Sequence, residues 1–149
     1  MKVLFYSGRP YDKKSMESVN NGKHELNFIS PSLDERTASL AKGYPAVCGF
    51  VNDQFTADCL KILAEGGTKL VLLRSTGFNN VDLSAAEANG ITVMRVLSYS
   101  PYSVAEHAIA LAMALNRKLI RAYNRNREGY FLLDGLLGFD FNGKTFGIA

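Results

Sequence analysis

At 149 residues, 47% of them hydrophobic and 21% charged, the chain is long and apolar enough to bury one ordinary core, and its composition excludes general disorder. Seventeen Lys and Arg against 14 Asp and Glu leave a net charge of +3, too mild and too scattered to point to nucleic acid. No run approaches the roughly 18 apolar residues of a spanning helix, and Met1–Tyr6 lacks the long apolar stretch of a signal peptide, so a cytoplasmic location is expected.

Short apolar runs alternate with helical segments in a regular rhythm. Lys2–Tyr6 reads as a first strand, and Asp12–Asn20 carries Met16 and Val19 at helical spacing before Asn20-Asn21-Gly22 ends it. Glu25–Ser30 alternates Leu26 and Phe28 inward, as a half-buried edge strand does. Glu35–Lys42 follows as a short helix with Gly43 at its end.

Ala46–Val51 is continuously apolar, the pattern of a central parallel strand covered on both faces. Thr56 can cap a helix over Ala57–Glu65, which Gly66-Gly67 stops. Lys69–Arg74 repeats the buried-strand pattern, Asp82 caps a helix to Asn89, and Ile91–Val96 makes a fifth strand. Strand and helix alternating in this way imply parallel pairing, so the expected fold is α/β, a flavodoxin-like open sheet with helices on both faces.

Ser103 and Glu106 have the spacing of a capping box, opening a long alanine-rich helix to Ile120. Such a helix is either a core element or one shared between domains or subunits. Arg121–Gly143 reads as a loop, with basic residues giving way to Tyr130-Phe131-Leu132-Leu133, apolar content that needs a cover. Thr145–Ala149 looks like the start of a strand, and the chain is expected to be the N-terminal fragment of something longer.

In an open parallel sheet, ligands bind outside the carboxyl ends of the strands. There, Arg74–Asp82 leaves a buried strand and turns at Gly77, so that the backbone N–H groups of Thr76 and Gly77 could cradle a carboxylate. An ordinary glycine turn before a capped helix accounts for the same residues. Tyr99 and Tyr102 flank Pro101 at the same edge, either as packed rings or as the lip of a pocket. Asp53 follows the central strand as the acceptor of a phospho-receiver would, but Ser7, Gly8 and Arg9 stand where that fold needs acidic residues. His24 and His107 lack metal-ligand spacing, and Cys48 and Cys59 read as buried free thiols of a reducing compartment.

Four blocks then carry a resemblance: YDKKS at Tyr11–Ser15, R-x-x-G-F-N-N-V-D from Arg74, Y-S-P-x-x-V-A-E-H-A from Tyr99, and GFxxNGKTxGI at Gly138–Ile148. In this order they resemble the D-lactate dehydrogenase branch of the D-2-hydroxyacid dehydrogenases, over essentially the whole chain. The resemblance implies a substrate domain over residues 1–100, and over 101–149 an interdomain helix with the first strand of a truncated Rossmann domain. It implies NAD as cofactor, and NADH-dependent reduction of pyruvate to D-lactate in the intact enzyme. Thr76 and Gly77 would hold the substrate carboxylate, Tyr99 would face the substrate, and Phe50 would line the same pocket.

The resemblance places the catalytic arginine, glutamate and histidine beyond residue 149, so the chain alone is expected to be inactive. It also implies a homo-oligomer formed through Ser103–Ile120. Leu97-Ser98 departs from the Pro-x that many relatives carry before the tyrosine, which loosens any inference about substrate choice. The competing readings are a sibling dehydrogenase for a bulkier 2-keto acid and a non-catalytic sensor or oligomerisation module.

Overall fold

A computed structural model of the protein describes residues 1–148. Its β-strands are β1 (Lys2–Phe5), β2 (Glu25–Phe28), β3 (Ala46–Gly49), β4 (Leu70–Leu73) and β5 (Thr92–Arg95). They form one parallel sheet in the order β2-β1-β3-β4-β5, the doubly wound order expected of a flavodoxin-like fold. The helices are α1 (Pro10–Asn20), α2 (Ala57–Glu65), α3 (Leu83–Ala88), α4 (Pro101–Asn116) and α5 (Leu119–Arg127). The chain divides into two compact units, Met1–Tyr99 and Ser100–Ala149.

The two-residue side-chain period of a strand splits the first unit's core in two. Val3, Phe5, Ala46 and Cys48 face one side, with Met16 of α1 packed against them. Leu4, Tyr6, Val47, Val71 and Leu73 face the other, against Cys59, Leu60 and Leu63 of α2 and Ala86 of α3. Thr56 caps α2 by accepting from the Cys59 N–H at 3.3 Å, and Asp82 caps α3 by accepting from the Ala85 N–H at 2.9 Å.

The helix expected over Glu35–Lys42 contracts to one 3-10 turn, Ala38–Ala41. Asp34 Oδ1 takes the N–H groups of Arg36 and Thr37 in a local turn. The Thr37 carbonyl accepts the Tyr6 hydroxyl at 2.8 Å, and Leu40 bonds back three residues to that carbonyl rather than four. A buried tyrosine just after β1 thus shapes a segment that sequence periodicity reads as helix.

The second unit differs from expectation in three places. Ser100, rather than Ser103, caps α4 by accepting from the Ser103 N–H, because Pro101 suits the first helical position, where no N–H is needed. The helix stops at Asn116 instead of Ile120, broken by Lys118 in the left-handed region at φ 55°. The first part of the expected loop, Arg121–Arg127, belongs to α5. Its basic residues act on backbone: Arg121 donates to the Gly135 carbonyl, and Arg125 to those of Leu132 and Asp134.

Asn116 pins the segment further, exchanging two hydrogen bonds with the backbone of Phe139 at 2.6 and 3.0 Å. Gly138 lies so close to Asn116 that a Cβ would approach its carbonyl oxygen to 2.4 Å. Thr145–Ile148 is irregular rather than a strand, having no ladder partner among the described residues, and Ala149 lies outside them. No residue of α4 or α5 is buried, and Ile109, Leu111, Met113 and Leu115 are exposed.

Cys48 and Cys59 are free and buried on opposite faces of the sheet, which forbids a disulfide between them. Burial pushes both thiols up to about 12 by penalising the thiolate. An unfolded chain releases these protons near the ordinary 9.0, whereas the folded one holds them. The thiols therefore leave stability unchanged below that pH and subtract from it as pH rises further. At pH 8 neither is expected to react with a thiol-specific disulfide reagent until denaturant is added; rapid modification of either in the native chain would contradict this placement.

An exposed apolar helix face drives association. At high concentration the 149-residue chain is expected to self-associate in static light scattering, and the pair Ile109→Glu and Leu115→Lys to reduce that association. A clean monomer for the unsubstituted chain would contradict the expectation.

Candidate functional site

The carboxyl edge of the sheet is organised by two buried charged groups. Asp53, fully buried after β3, accepts the Ser7 hydroxyl and the Leu33 N–H at 2.8 Å each through Oδ1, and the Phe50 N–H at 2.5 Å through Oδ2. The loops after β1, β2 and β3 thereby meet on one carboxylate. The strand order turns back between β1 and β3, where a doubly wound sheet normally opens its crevice. Here Asp53 fills that position. Gly49 leaves the room it needs, since a Cβ there would stand 2.5 Å from the Phe55 ring and 3.3 Å from Asp53 Oδ2.

Arg74, the residue after β4, turns its guanidinium inward with 8% side-chain exposure. Its Nη2 donates to the Tyr6 carbonyl at 2.8 Å, and its Nη1 lies 3.0 Å from Asp12 Oδ2 on α1. The second contact is Coulombic rather than an aligned hydrogen bond, since Nη1 and Nε have no hydrogen-bond partner. The Phe50 ring covers the group at 5.2 Å, so this candidate residue is held by a cation–π contact.

Between these anchors, the loops after β3 and β4 are laced together. The Asn80 amide donates to the carbonyls of Phe50 and Asp53 at 3.2 and 2.8 Å, and Phe55 N–H donates to the Asn80 carbonyl at 2.9 Å. An open hollow of about 420 Å³ remains, lined by Val51, Gln54, Gly77, Asn79 and Asn80. The free space lies at β3 and β4, one strand beyond the switch point.

Of the two expected carboxylate-binding residues Gly77 lines this space and Thr76 does not, and their loop has an uneven balance of hydrogen bonds. The carbonyls of Ser75, Thr76, Gly77 and Phe78 are all occupied, by Val96 N–H, Arg95, the Ser75 hydroxyl and Val81 N–H respectively. Among the described residues the N–H groups of Thr76, Gly77 and Phe78 donate to no other protein group. Thr76 Oγ1 is buried and unpartnered as well. Gly77 and Phe78 are exposed, so their donors are open to water or to an anion, a donor set of the kind an anion nest uses.

Phe50 and Tyr99 are placed differently. Phe50 packs on Arg74 and does not line the hollow. Tyr99, four residues beyond β5, is 62% exposed, makes no hydrogen bond, and does not line the hollow either. Tyr102 and His107 are exposed on α4. Among the described residues no group of three His, Cys, Asp or Glu could hold a metal ion, and no helix is long and apolar enough to cross a membrane. Nor does any described loop carry the glycine-rich turn on a helix N-terminus that a dinucleotide pyrophosphate requires.

Asp53, Arg74, Asn80 and Arg95 shape this edge, yet as site residues they are missed in the sequence. Apart from the Phe50 N–H, three residues before Asp53, their partners at Ser7, Leu33, Asp12, Phe50 and Thr76 lie 19 or more positions away, and only topology brings them together. Asp53→Ala would orphan the buried Leu33 N–H, the part-buried Phe50 N–H and the Ser7 hydroxyl, so a loss of about 3 kcal/mol is expected from denaturant midpoints. A loss under about 1 kcal/mol would show that the carboxylate is not the anchor described.

Sequence and structure comparisons converge on one family. The model of the D-isomer specific 2-hydroxyacid dehydrogenase catalytic domain matches residues 3–141. A 2-hydroxyacid dehydrogenase homolog of Schizosaccharomyces pombe is 56% identical, over 99% of this chain and 45% of its own length. D-lactate dehydrogenase of Escherichia coli is 48% identical over the same shares. The apo structure of that enzyme superposes with a TM-score of 0.90 at 49% identity, over 97% of this chain and 47% of its own. D-lactate dehydrogenase of Lactobacillus jensenii, solved with NAD+, aligns with a TM-score of 0.68 at 27% identity, over 97% of this chain and 44% of its own. The chain thus spans about half the length of the relatives it matches.

Proposed function

Because the chain belongs to the D-isomer-specific 2-hydroxyacid dehydrogenases, we propose that it supplies the substrate-carboxylate site of an NAD-dependent enzyme that interconverts pyruvate and D-lactate. The observation that carries this reading is the loop Ser75–Phe78, whose carbonyls are tied to protein while three successive N–H groups are free. A small 2-keto acid presents a planar carboxylate of the size and charge such a nest takes. Thr76 and Gly77 hold that carboxylate in this reading. Phe50 acts through Arg74, by walling the floor of the loop, and Tyr99 reaches the substrate only when its side chain turns inward.

The nicotinamide would supply and accept the hydride, and the groups that move the proton are assigned to the rest of the intact polypeptide. Nothing among the described residues fits a dinucleotide, so this chain's own part is confined to binding and orienting the acid. The second unit, through Ser103–Ile120, is proposed as an interdomain and homo-oligomer contact, because its apolar side chains are uncovered. Two buried, unpaired thiols accord with a reducing cytoplasm.

The test is steady-state reduction of pyruvate by the intact polypeptide with NADH, alongside phenylpyruvate and Gly77→Ala. A Cβ on Gly77 meets no atom within 4 Å and would enter the space proposed for the carboxylate. The variant is expected to keep its thermal stability while KM for pyruvate rises about tenfold. The 149-residue chain alone is expected to show no turnover. Preference for phenylpyruvate would favour the sibling enzyme, and no reduction of either acid by the intact polypeptide would favour a non-catalytic module.

A further inference from the structure

We propose that Arg95 is a positioning residue for carboxylate recognition, bracing the Thr76–Gly77 peptide through its carbonyl oxygen. The inference rests on the keto-acid reading of that loop. Arg95 ends β5 and pairs in register with Leu73, so it stands next to the strand end from which the loop departs. Its Nη1 donates to the Thr76 carbonyl at 2.8 Å, and its guanidinium lies 5.1 Å from the centre of the Phe78 ring. One side chain therefore grips the loop at two points, on either side of Gly77.

The consequence for the free amides follows from the peptide unit. A charged donor on the Thr76 oxygen draws electron density through the C–N bond of that peptide, making the Gly77 N–H a stronger donor. It also restrains the peptide plane before any ligand arrives. A unit positive charge on the loop attracts an anion, and Arg95 does not line the hollow that the anion would enter. Ser75 plays a smaller, uncharged version of the part, donating its hydroxyl to the Gly77 carbonyl at 2.8 Å.

Arginine suits the task better than lysine, since a flat guanidinium can stack on Phe78 while one corner of its fork donates. Arg95 is exposed and outside the core, so its substitution removes little packing.

Two measurements on Arg95→Gln and Arg95→Lys test this. In the intact polypeptide, Arg95→Gln is expected to raise KM for pyruvate about tenfold with kcat falling less than about twofold. KM for NADH should stay unchanged, and Arg95→Lys should recover part of the loss. In the 149-residue chain, titration with pyruvate should shift the amide resonances of Thr76 and Gly77, with affinity about tenfold weaker in Arg95→Gln. Phe78→Leu, which removes the stacking ring but not the charge, should give an intermediate loss in both.

An Arg95→Gln enzyme with KM within about twofold of the parent, or a titration unaffected by the substitution, overturns the role of Arg95 and leaves the keto-acid reading standing. Amide shifts that weaken in Arg95→Gln, in a polypeptide that reduces no 2-keto acid, support the role of Arg95 while the assigned reaction fails. No shift in the unsubstituted chain at any pyruvate concentration overturns both.

Discussion

Asp53 sits without solvent exposure among three chain segments that the sheet would otherwise leave independent. Strands in a parallel sheet are fixed along their length by ladders, but their carboxyl-end loops must find other partners for their polar groups. One carboxylate supplies partners for Ser7, Leu33 and Phe50 together. Because it fills the place where strand order reverses, the open space moves to the β3–β4 edge, beside Thr76 and Gly77. The location of the candidate site is thus a consequence of where a buried charge was satisfied.

Arg74 and Arg95 flank the same loop with opposite kinds of environment. The first is nearly sealed, and its attraction to Asp12 is balanced against desolvation, so it contributes register more than net stability. The second is exposed, bonded to the Thr76 carbonyl and set against the Phe78 ring of the same loop. Between them, Ser75–Phe78 is held by its oxygens and left open at its nitrogens.

The architecture of the first unit was legible because its strands announce themselves by continuous or alternating apolar runs, and its helices by Thr56 and Asp82 at their starts. The loop at Thr76–Gly77 was legible as a place where a carboxylate could bind, from a glycine turn following a buried strand. What could not be read was anything decided across the sheet. The Tyr6 hydroxyl converting a helical pattern into a 3-10 turn is one such case, and Asp12 meeting Arg74 is another. In the second unit, Lys118 adopts a left-handed conformation that its residue type gives no hint of, so the expected helix ends early and α5 runs on into the expected loop. The basic residues after it read only as part of a loop, yet Arg121 and Arg125 spend their donors on backbone carbonyls.

The two thiols on opposite faces of the sheet carry one more implication. A five-stranded sheet stands between them, so no native fluctuation short of dismantling it can join them within one molecule. Any covalent sulfur link found in a stored or stressed sample must have formed after the sheet came apart, whether within a chain or between chains. Cross-linked material on a non-reducing gel would therefore serve as a lasting record of past unfolding, legible long after the chains themselves had refolded or precipitated.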